Sequence, residues 1–157
     1  TGSHPTTHLC LRWLDKQDLV GKTIIDYGCG SGILGIAALL LGAEKVIAVD
    51  IDPQALLASR DNAQRNNISD EKLVTYLPDD VPTELRADVM LANILAAPLI
   101  QLAPAISDLT AQGGTLCLSG LLESQIDYVC APYLQYFDFS APAIESDWTQ
   151  LSAQKVR

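Results

Sequence analysis

The sequence predicts an α/β chain, doubly wound around a mainly parallel seven-stranded sheet with an antiparallel end. Three observations predict it. β-branched or apolar runs of strand length alternate with helical patterns through most of the chain, the signature of a parallel sheet covered on both faces. A glycine cluster, Gly28-Cys29-Gly30-Ser31-Gly32, joins the first such run to the first apolar helix pattern, at the strand end where these sheets bind ligands. The last quarter turns to period-two alternation, in Tyr136-Phe137-Asp138-Phe139 and in Trp148-Thr149-Gln150-Leu151-Ser152-Ala153, which suits an antiparallel closure.

The elements follow in order. Pro5 sits just inside a helix start, with Leu9, Cys10, Trp13 and Leu14 at helical spacing behind it. His4 and His8 lie four apart, but no third ligand accompanies them, so a capping or solvated role is expected rather than a metal site. Lys22 to Tyr27 reads as the first strand, Ile33 to Leu41 as a helix apolar almost all round, and Gly42 as its C-cap. Lys45 to Val49 is a second buried strand. Asp52 and Pro53 then read as an N-cap and a first helical residue, opening a helix to about Asn67. That leaves Asp50, at the strand's carboxyl end, free to meet a ligand. Leu73 to Leu77 and Arg86 to Asn93 are the third and fourth strands, with an acidic loop, Pro78 to Pro82, between them. A single helix is expected over Ala97 to Leu109, then a turn at Gln112-Gly113-Gly114, a strand over Thr115 to Ser119, and a helix beginning near Glu123.

Length and charge narrow the function. A chain of 157 residues suits one domain with a single core. Its net charge of -9 offers no basic footprint for a phosphate backbone, whereas an acidic surface suits a basic protein partner. Cys10, Cys29, Cys117 and Cys130 are scattered without a C-x-x-C and read as reduced core thiols of a cytoplasmic protein. No stretch reaches the ~18 apolar residues of a membrane span.

Gly30-Ser31-Gly32-Ile33-Leu34-Gly35 satisfies the dinucleotide fingerprint G-x-G-x-x-G, so the glycines alone leave the ligand open. Asp26 stands two residues before the first glycine. Near a pyrophosphate, each like-charge pair at ~6 Å and an effective dielectric of ~20 costs roughly 3 kcal/mol. S-adenosylmethionine carries an ammonium and a sulfonium instead, which a carboxylate favours; alternatively, Asp26 ties down its own loop. Asp50 lies where an acid reaches ribose hydroxyls, a feature shared by both ligands.

Asp26-Tyr27-Gly28-Cys29-Gly30-Ser31-Gly32 resembles the first motif of class I S-adenosylmethionine-dependent methyltransferases, and Val49-Asp50-Ile51-Asp52-Pro53 their ribose-binding segment. Together with Gly2-Ser3-His4-Pro5-Thr6-Thr7 and Ala92-Asn93-Ile94-Leu95-Ala96, they make the chain similar over nearly its whole length to the PrmA family of ribosomal protein methyltransferases. The resemblance implies a Rossmann-like methyltransferase fold with S-adenosyl-L-methionine as cofactor. It implies cofactor-binding positions at Thr7, Gly28, Asp50 and Asn93, with Gly30 and Gly32 in the same loop; the chemistry of the residues adds Asp26 as a cofactor-binding position, makes Asn93 and the Ile94 carbonyl the catalytic positions that aim the amine, and leaves no metal expected. Ser3 stands where the family usually has Thr, which keeps the hydroxyl. The implied reaction is methyl transfer to amino groups, of lysine or of an N-terminus, on a large-subunit ribosomal protein; separately, the charge and hydropathy lead us to expect no direct contact with nucleic acid or membrane, and a monomer is expected. The amine must be neutral to attack: at pH 7.5 this costs a lysine of pKa ~10.4 about 4 kcal/mol, and an α-amine only ~0.4. Family members carry a separate substrate-recognition domain before this region, so residues 1–157 correspond to a catalytic domain cut from a longer enzyme. Two other readings compete, an NAD-dependent oxidoreductase and a cofactor-binding fragment without activity of its own.

Overall fold

The computed structural model describes residues 4–157; Gly2 and Ser3, with the departure noted at Ser3, lie outside the described residues. Helix α1 (Pro5–Asp15) is capped by His4, whose Nδ1 accepts the Thr6 N–H at 3.2 Å and meets the Thr6 hydroxyl at 2.8 Å. Strand β1 (Thr23–Tyr27), helix α2 (Ile33–Leu40), strand β2 (Lys45–Val49) and helix α3 (Pro53–Arg65) follow. Asp52 caps α3 as its position before Pro53 predicts, accepting the Gln54 N–H at 2.9 Å.

Then come β3 (Leu73–Tyr76), β4 (Ala87–Asn93), α4 (Ala96–Gln101), α5 (Ala103–Leu109), β5 (Thr110–Leu122), α6 (Ile126–Cys130), β6 (Phe137–Phe139), β7 (Ala143–Glu145) and β8 (Trp148–Lys155). The sheet order is β3-β2-β1-β4-β5-β8-β6, with β7 paired to β8. β3, β2, β1, β4 and β5 run parallel, and β8 inserts antiparallel between β5 and β6. The strand order reverses between β1 and β4, which opens a crevice at their carboxyl ends.

Successive side chains of each strand divide between two cores, as the pleat requires. Ile24, Val46, Ala48, Val89 and Leu91 face α1, α2 and α3, meeting Leu14, Leu34 and Leu56. Ile25, Ile47, Val49, Met90 and Leu116 face the other way, onto Leu99, Ile106, Val129 and Tyr133. The single core expected from chain length is therefore two layers separated by the sheet.

Three local expectations need correction. The helix expected over Ala97 to Leu109 is two helices, because Pro104 lacks the N–H that would continue the ladder and its ring crowds the preceding turn. Gln112-Gly113-Gly114 is a bulge inside β5 rather than a turn before it: Thr110 pairs with Ala87 and Thr115 with Val89, and Gly113 takes φ 76°. An eighth strand, β7, forms a hairpin with β8 whose two loop residues, Ser146 and Asp147, take φ 51° and 69°. This hairpin anchors α1, since Glu145 meets His8 at 3.3 Å and Arg12 at 3.2 Å.

The break after α4 leaves backbone carbonyls without helical partners. Leu99 O accepts the Tyr133 hydroxyl at 2.6 Å in a fully buried setting. Tyr133→Phe leaves that carbonyl unpaired and is expected to cost about 1–3 kcal/mol of stability. Urea unfolding checks this; a change below ~0.5 kcal/mol would mean the bond contributes nothing net.

Candidate functional site

The chain leaves β1 and must turn into α2 within a few residues, which only a glycine-rich path allows: Gly28, Gly30 and Gly32 take φ 81°, 53° and 84°. The loop is held from two directions. On the β2 side, the N–H groups of Gly28 and Cys29 share the Val49 carbonyl, at 2.7 and 3.0 Å. On the α3 side, the Ser59 hydroxyl donates to Gly30 O and the Asn62 amide to Ser31 O, both at 2.9 Å. Sequence reasoning missed Ser59 and Asn62. A signal for Ser59 existed, because Leu56, Ser59 and Ala63 form the buried stripe of α3, and a serine there needs a polar partner.

Asp26 lies beneath this loop, 1% exposed, and its Oδ2 accepts the Gly35 N–H at 3.3 Å. Of the two readings open for it, this geometry matches the carboxylate that ties down its own loop. Burial pushes its pKa up to about 7; the Gly35 N–H works against that rise, and the nearby Asp50 charge adds to it. A carboxyl half-protonated near neutrality repels a pyrophosphate less than the fully charged group assumed from sequence. Near neutrality Asp26 accordingly favours a cationic ligand less than a full charge would.

Asp50 is not free, contrary to expectation. Its Oδ2 accepts the Gly30 N–H and its Oδ1 the Asp52 N–H, both at 3.0 Å. Each carboxylate oxygen has a further lone pair, so the half-buried group retains capacity for hydroxyl donors. Beside it, Ile51, Leu77, Pro78, Asp79 and Asp80 enclose a cavity of about 480 Å³, with Ile51 83% exposed at its edge.

A second cavity, of about 390 Å³, opens at the ends of β4 and β5. Asn93, Ile94 and Leu95 form one wall, Thr6 and Thr7 of α1 another, and His4, Gly120 and Trp148 complete it. Thr7 and Asn93, far apart in sequence, therefore share one site. The Ile94 N–H donates to Ser119 O at 3.1 Å, which carries the chain beyond β4 alongside β5. The Ile94 side chain sits directly against Gly28, where any added Cβ would overlap its Cγ2. The glycine loop and the Asn93-Ile94 corner are thus in contact, with one cavity toward β2 and β3 and the other toward β4 and β5. Among the described residues, no group of three or more His, Cys, Asp or Glu could hold a metal, and no helix is long and apolar enough to cross a membrane.

The raised pKa of Asp26 has a thermodynamic sign. Below pH ~4 the group is neutral in both states; above it the unfolded chain ionises first, so its contribution to stability falls as pH rises toward 7. Relative to Asp26→Asn, the parent protein should lose roughly 3 kcal/mol between pH 5 and pH 8. Urea unfolding of both proteins at these pH values tests this, and a pH-independent difference would show the burial effect to be absent.

Residues 1–156 match the family described as Ribosomal protein L11 methyltransferase (PrmA). A ribosomal protein L11 methyltransferase of Enterobacter sp. (strain 638) is 58% identical over 155 residues, covering 99% of this chain and 53% of the relative. That of Photobacterium profundum is 58% identical over 156 residues, with the same coverage. The chain thus spans about half the length of the curated relatives it matches. Among solved structures, a ribosomal protein L11 methylase from Lactobacillus delbrueckii subsp. bulgaricus superposes with a TM-score of 0.88 at 32% identity, covering 99% of this chain and 81% of that one. A protein solved in complex with SAH, 14% identical with a TM-score of 0.75, covers 99% of this chain and 50% of its own and shares the fold. With the match running through the glycine loop, Asp50 and the Asn93-Ile94 corner, the chain belongs to the ribosomal protein L11 methyltransferase family.

Proposed function

We propose that this chain is the cofactor-binding and methyl-transferring unit of an S-adenosylmethionine-dependent enzyme that methylates amino groups, of lysine or of an N-terminus, on a large-subunit ribosomal protein. The observation that carries this reading is the contact between Ile94 and Gly28, which sets hydrogen-bond acceptors of the Asn93-Ile94 corner beside the glycine loop. The names of the relatives and the net charge of -9, suited to a basic protein partner, support it.

The residues present fit the cofactor. Asp50 retains lone pairs for ribose hydroxyls after serving Gly30 and Asp52. Ile51 and Leu77 supply apolar surface for adenine, and Asp79 and Asp80 supply acceptors for its amino group. At Gly30 a Cβ would stand in open space, so this glycine leaves the loop bare toward a ligand, whereas at Gly28 and Gly32 that space is taken by Ile94 and Ser59. Asp26 acts beneath the loop, through Gly35, and this commits the N–H of the third glycine in the dinucleotide fingerprint. S-adenosylmethionine, when bound, supplies an electrophilic methyl on a sulfonium sulfur.

The chain's own part is to hold the attacking nitrogen. The Asn93 side-chain oxygen and the Ile94 carbonyl accept hydrogens from a neutral amine, which aims its lone pair at the donor; Thr7 closes the wall from α1. Among the described residues lining this cavity, His4 alone carries an imidazole, carboxyl or amine side chain, and its Nδ1 already accepts the Thr6 N–H. Neutral His4 therefore carries its proton on Nε2 and is a donor rather than a base. The amine must lose its proton to water before it is held.

Two measurements test this reading, using the full-length protein and ribosomal protein L11. Asp50→Ala should weaken S-adenosylmethionine binding by ~10-fold or more in calorimetry, the cost of a charge-assisted bond. Asn93→Ala should lose turnover well beyond any change in cofactor affinity. Unaltered affinity in the first, or unaltered turnover in the second, removes the corresponding role. A pH profile adds to these two: with no base among the described residues lining the cavity, kcat/KM for a lysine acceptor should rise about tenfold per pH unit between pH 7 and 9, following the neutral amine. A flat profile would point to a proton acceptor elsewhere.

A further inference from the structure

Ile94 lies between two glycines from different parts of the chain. On one side its γ2 methyl occupies the space a Cβ would need at Gly28. On the other its main chain crosses Gly120 so closely that a Cβ there would overlap the Ile94 carbonyl, with the Ile94 nitrogen 3.0 Å away. Gly120 also takes φ 95° and interrupts the β5–β8 register between Ser119 and Leu121. A left-handed φ alone accounts for glycine at each position. It does not account for both glycines meeting the same residue, one through its side chain and one through its carbonyl.

We propose that Ile94 is a spacer between the glycine loop and the acceptor cavity, and that Gly28 and Gly120 are positioning residues acting through it. The γ2 methyl on Gly28 sets the separation of the loop from the end of β4. The bulge at Gly120 lets the Ile94 carbonyl lie flat on β5, which fixes its direction and that of the preceding Asn93 amide. Donor and acceptor sites are thereby referenced to each other through one side chain, where a displacement of about 1 Å is enough to cost ~100-fold in rate. This inference rests on the methyltransferase reading, and its test separates the two.

The test is a double-mutant cycle on Gly28→Ala and Ile94→Ala in the full-length protein, reading S-adenosylmethionine affinity by calorimetry and kcat and KM with ribosomal protein L11. Ile94→Ala should lower kcat at least tenfold while changing cofactor Kd by less than about threefold, since it removes the spacer without touching the loop backbone. Ile94→Val, which keeps a methyl at the contact, should retain more turnover than Ile94→Ala. Gly28→Ala should weaken cofactor binding, and adding Ile94→Ala should restore about tenfold of that loss, the coupling expected of residues in contact. Gly120→Ala should lower kcat more than it raises KM; if it fails to fold, the Gly28–Ile94 cycle decides alone. Additive effects at Gly28 and Ile94, or a loss in Ile94→Ala that falls on KM rather than kcat, overturn the spacer and leave the methyltransferase reading standing. If the parent protein binds cofactor but transfers no methyl to L11, the methyltransferase reading fails and the positioning role fails with it, even where the affinity cycle is non-additive.

Discussion

The shared acceptance of two backbone N–H groups, those of Gly28 and Cys29, by the Val49 carbonyl is the constraint on which the carboxyl edge of the sheet depends. It ties the exit of β1 to the last residue of β2, so the next residue, Asp50, arrives beside the loop rather than out in solvent. From there Asp50 reaches Gly30 with one oxygen and Asp52 with the other, joining the loop to the cap of α3. Asp52 then bonds Gln54 N–H and starts the helix whose Ser59 and Asn62 return to the loop carbonyls. The result is a closed circuit of short polar contacts around a segment whose one buried side chain is Cys29. Polar groups near a sheet edge are satisfied by one another, and the loop is preorganised before any ligand arrives.

A second ordering principle is glycine used as space. Gly28, Gly32 and Gly120 each take a left-handed φ, yet what they admit differs. Gly28 admits the Ile94 methyl, Gly32 admits Ser59, which lies about 3 Å from where a Cβ would stand, and Gly120 admits the Ile94 main chain. Each close approach brings an element from elsewhere in the chain onto the switch point between β1 and β4. Beneath this junction Asp26 is buried at an energetic cost visible in its raised pKa, offset in part by the Gly35 N–H. The carboxyl buried there ties the start of α2 to β1 through the Gly35 N–H.

Local signals that repeat along a few residues could be read directly. Asp52 before Pro53, Pro5 at a helix start, the apolar run Lys45–Val49 and the alternation in Trp148–Ala153 all carry their meaning within a turn or a strand, and each became the predicted element. Errors arose where a local pattern was complete but a single residue broke it, as Pro104 does between α4 and α5. They also arose where glycines signalled a turn that a neighbouring strand absorbed as a bulge, as at Gly113. Asp50 follows the end of β2 as the sequence places it, but its engagement is not legible there, because the Gly30 N–H it accepts lies 20 residues away in the chain.

The sequence by itself determined the alternation of strands and helices, the glycine loop, the acids around it and the family likeness, because periodicity, caps and motifs are properties of neighbouring residues. Only the tertiary structure decided that Thr7 and Asn93 share a cavity, that Ser59 and Asn62 hold the loop, and that Gly28 and Gly120 close on Ile94. Those contacts join residues roughly 26 to 86 positions apart, and no spacing rule reaches that far. They exist because the parallel sheet brings the ends of β1, β2, β4 and β5 to one edge, and its order follows from packing two helical layers rather than from any stretch of chain.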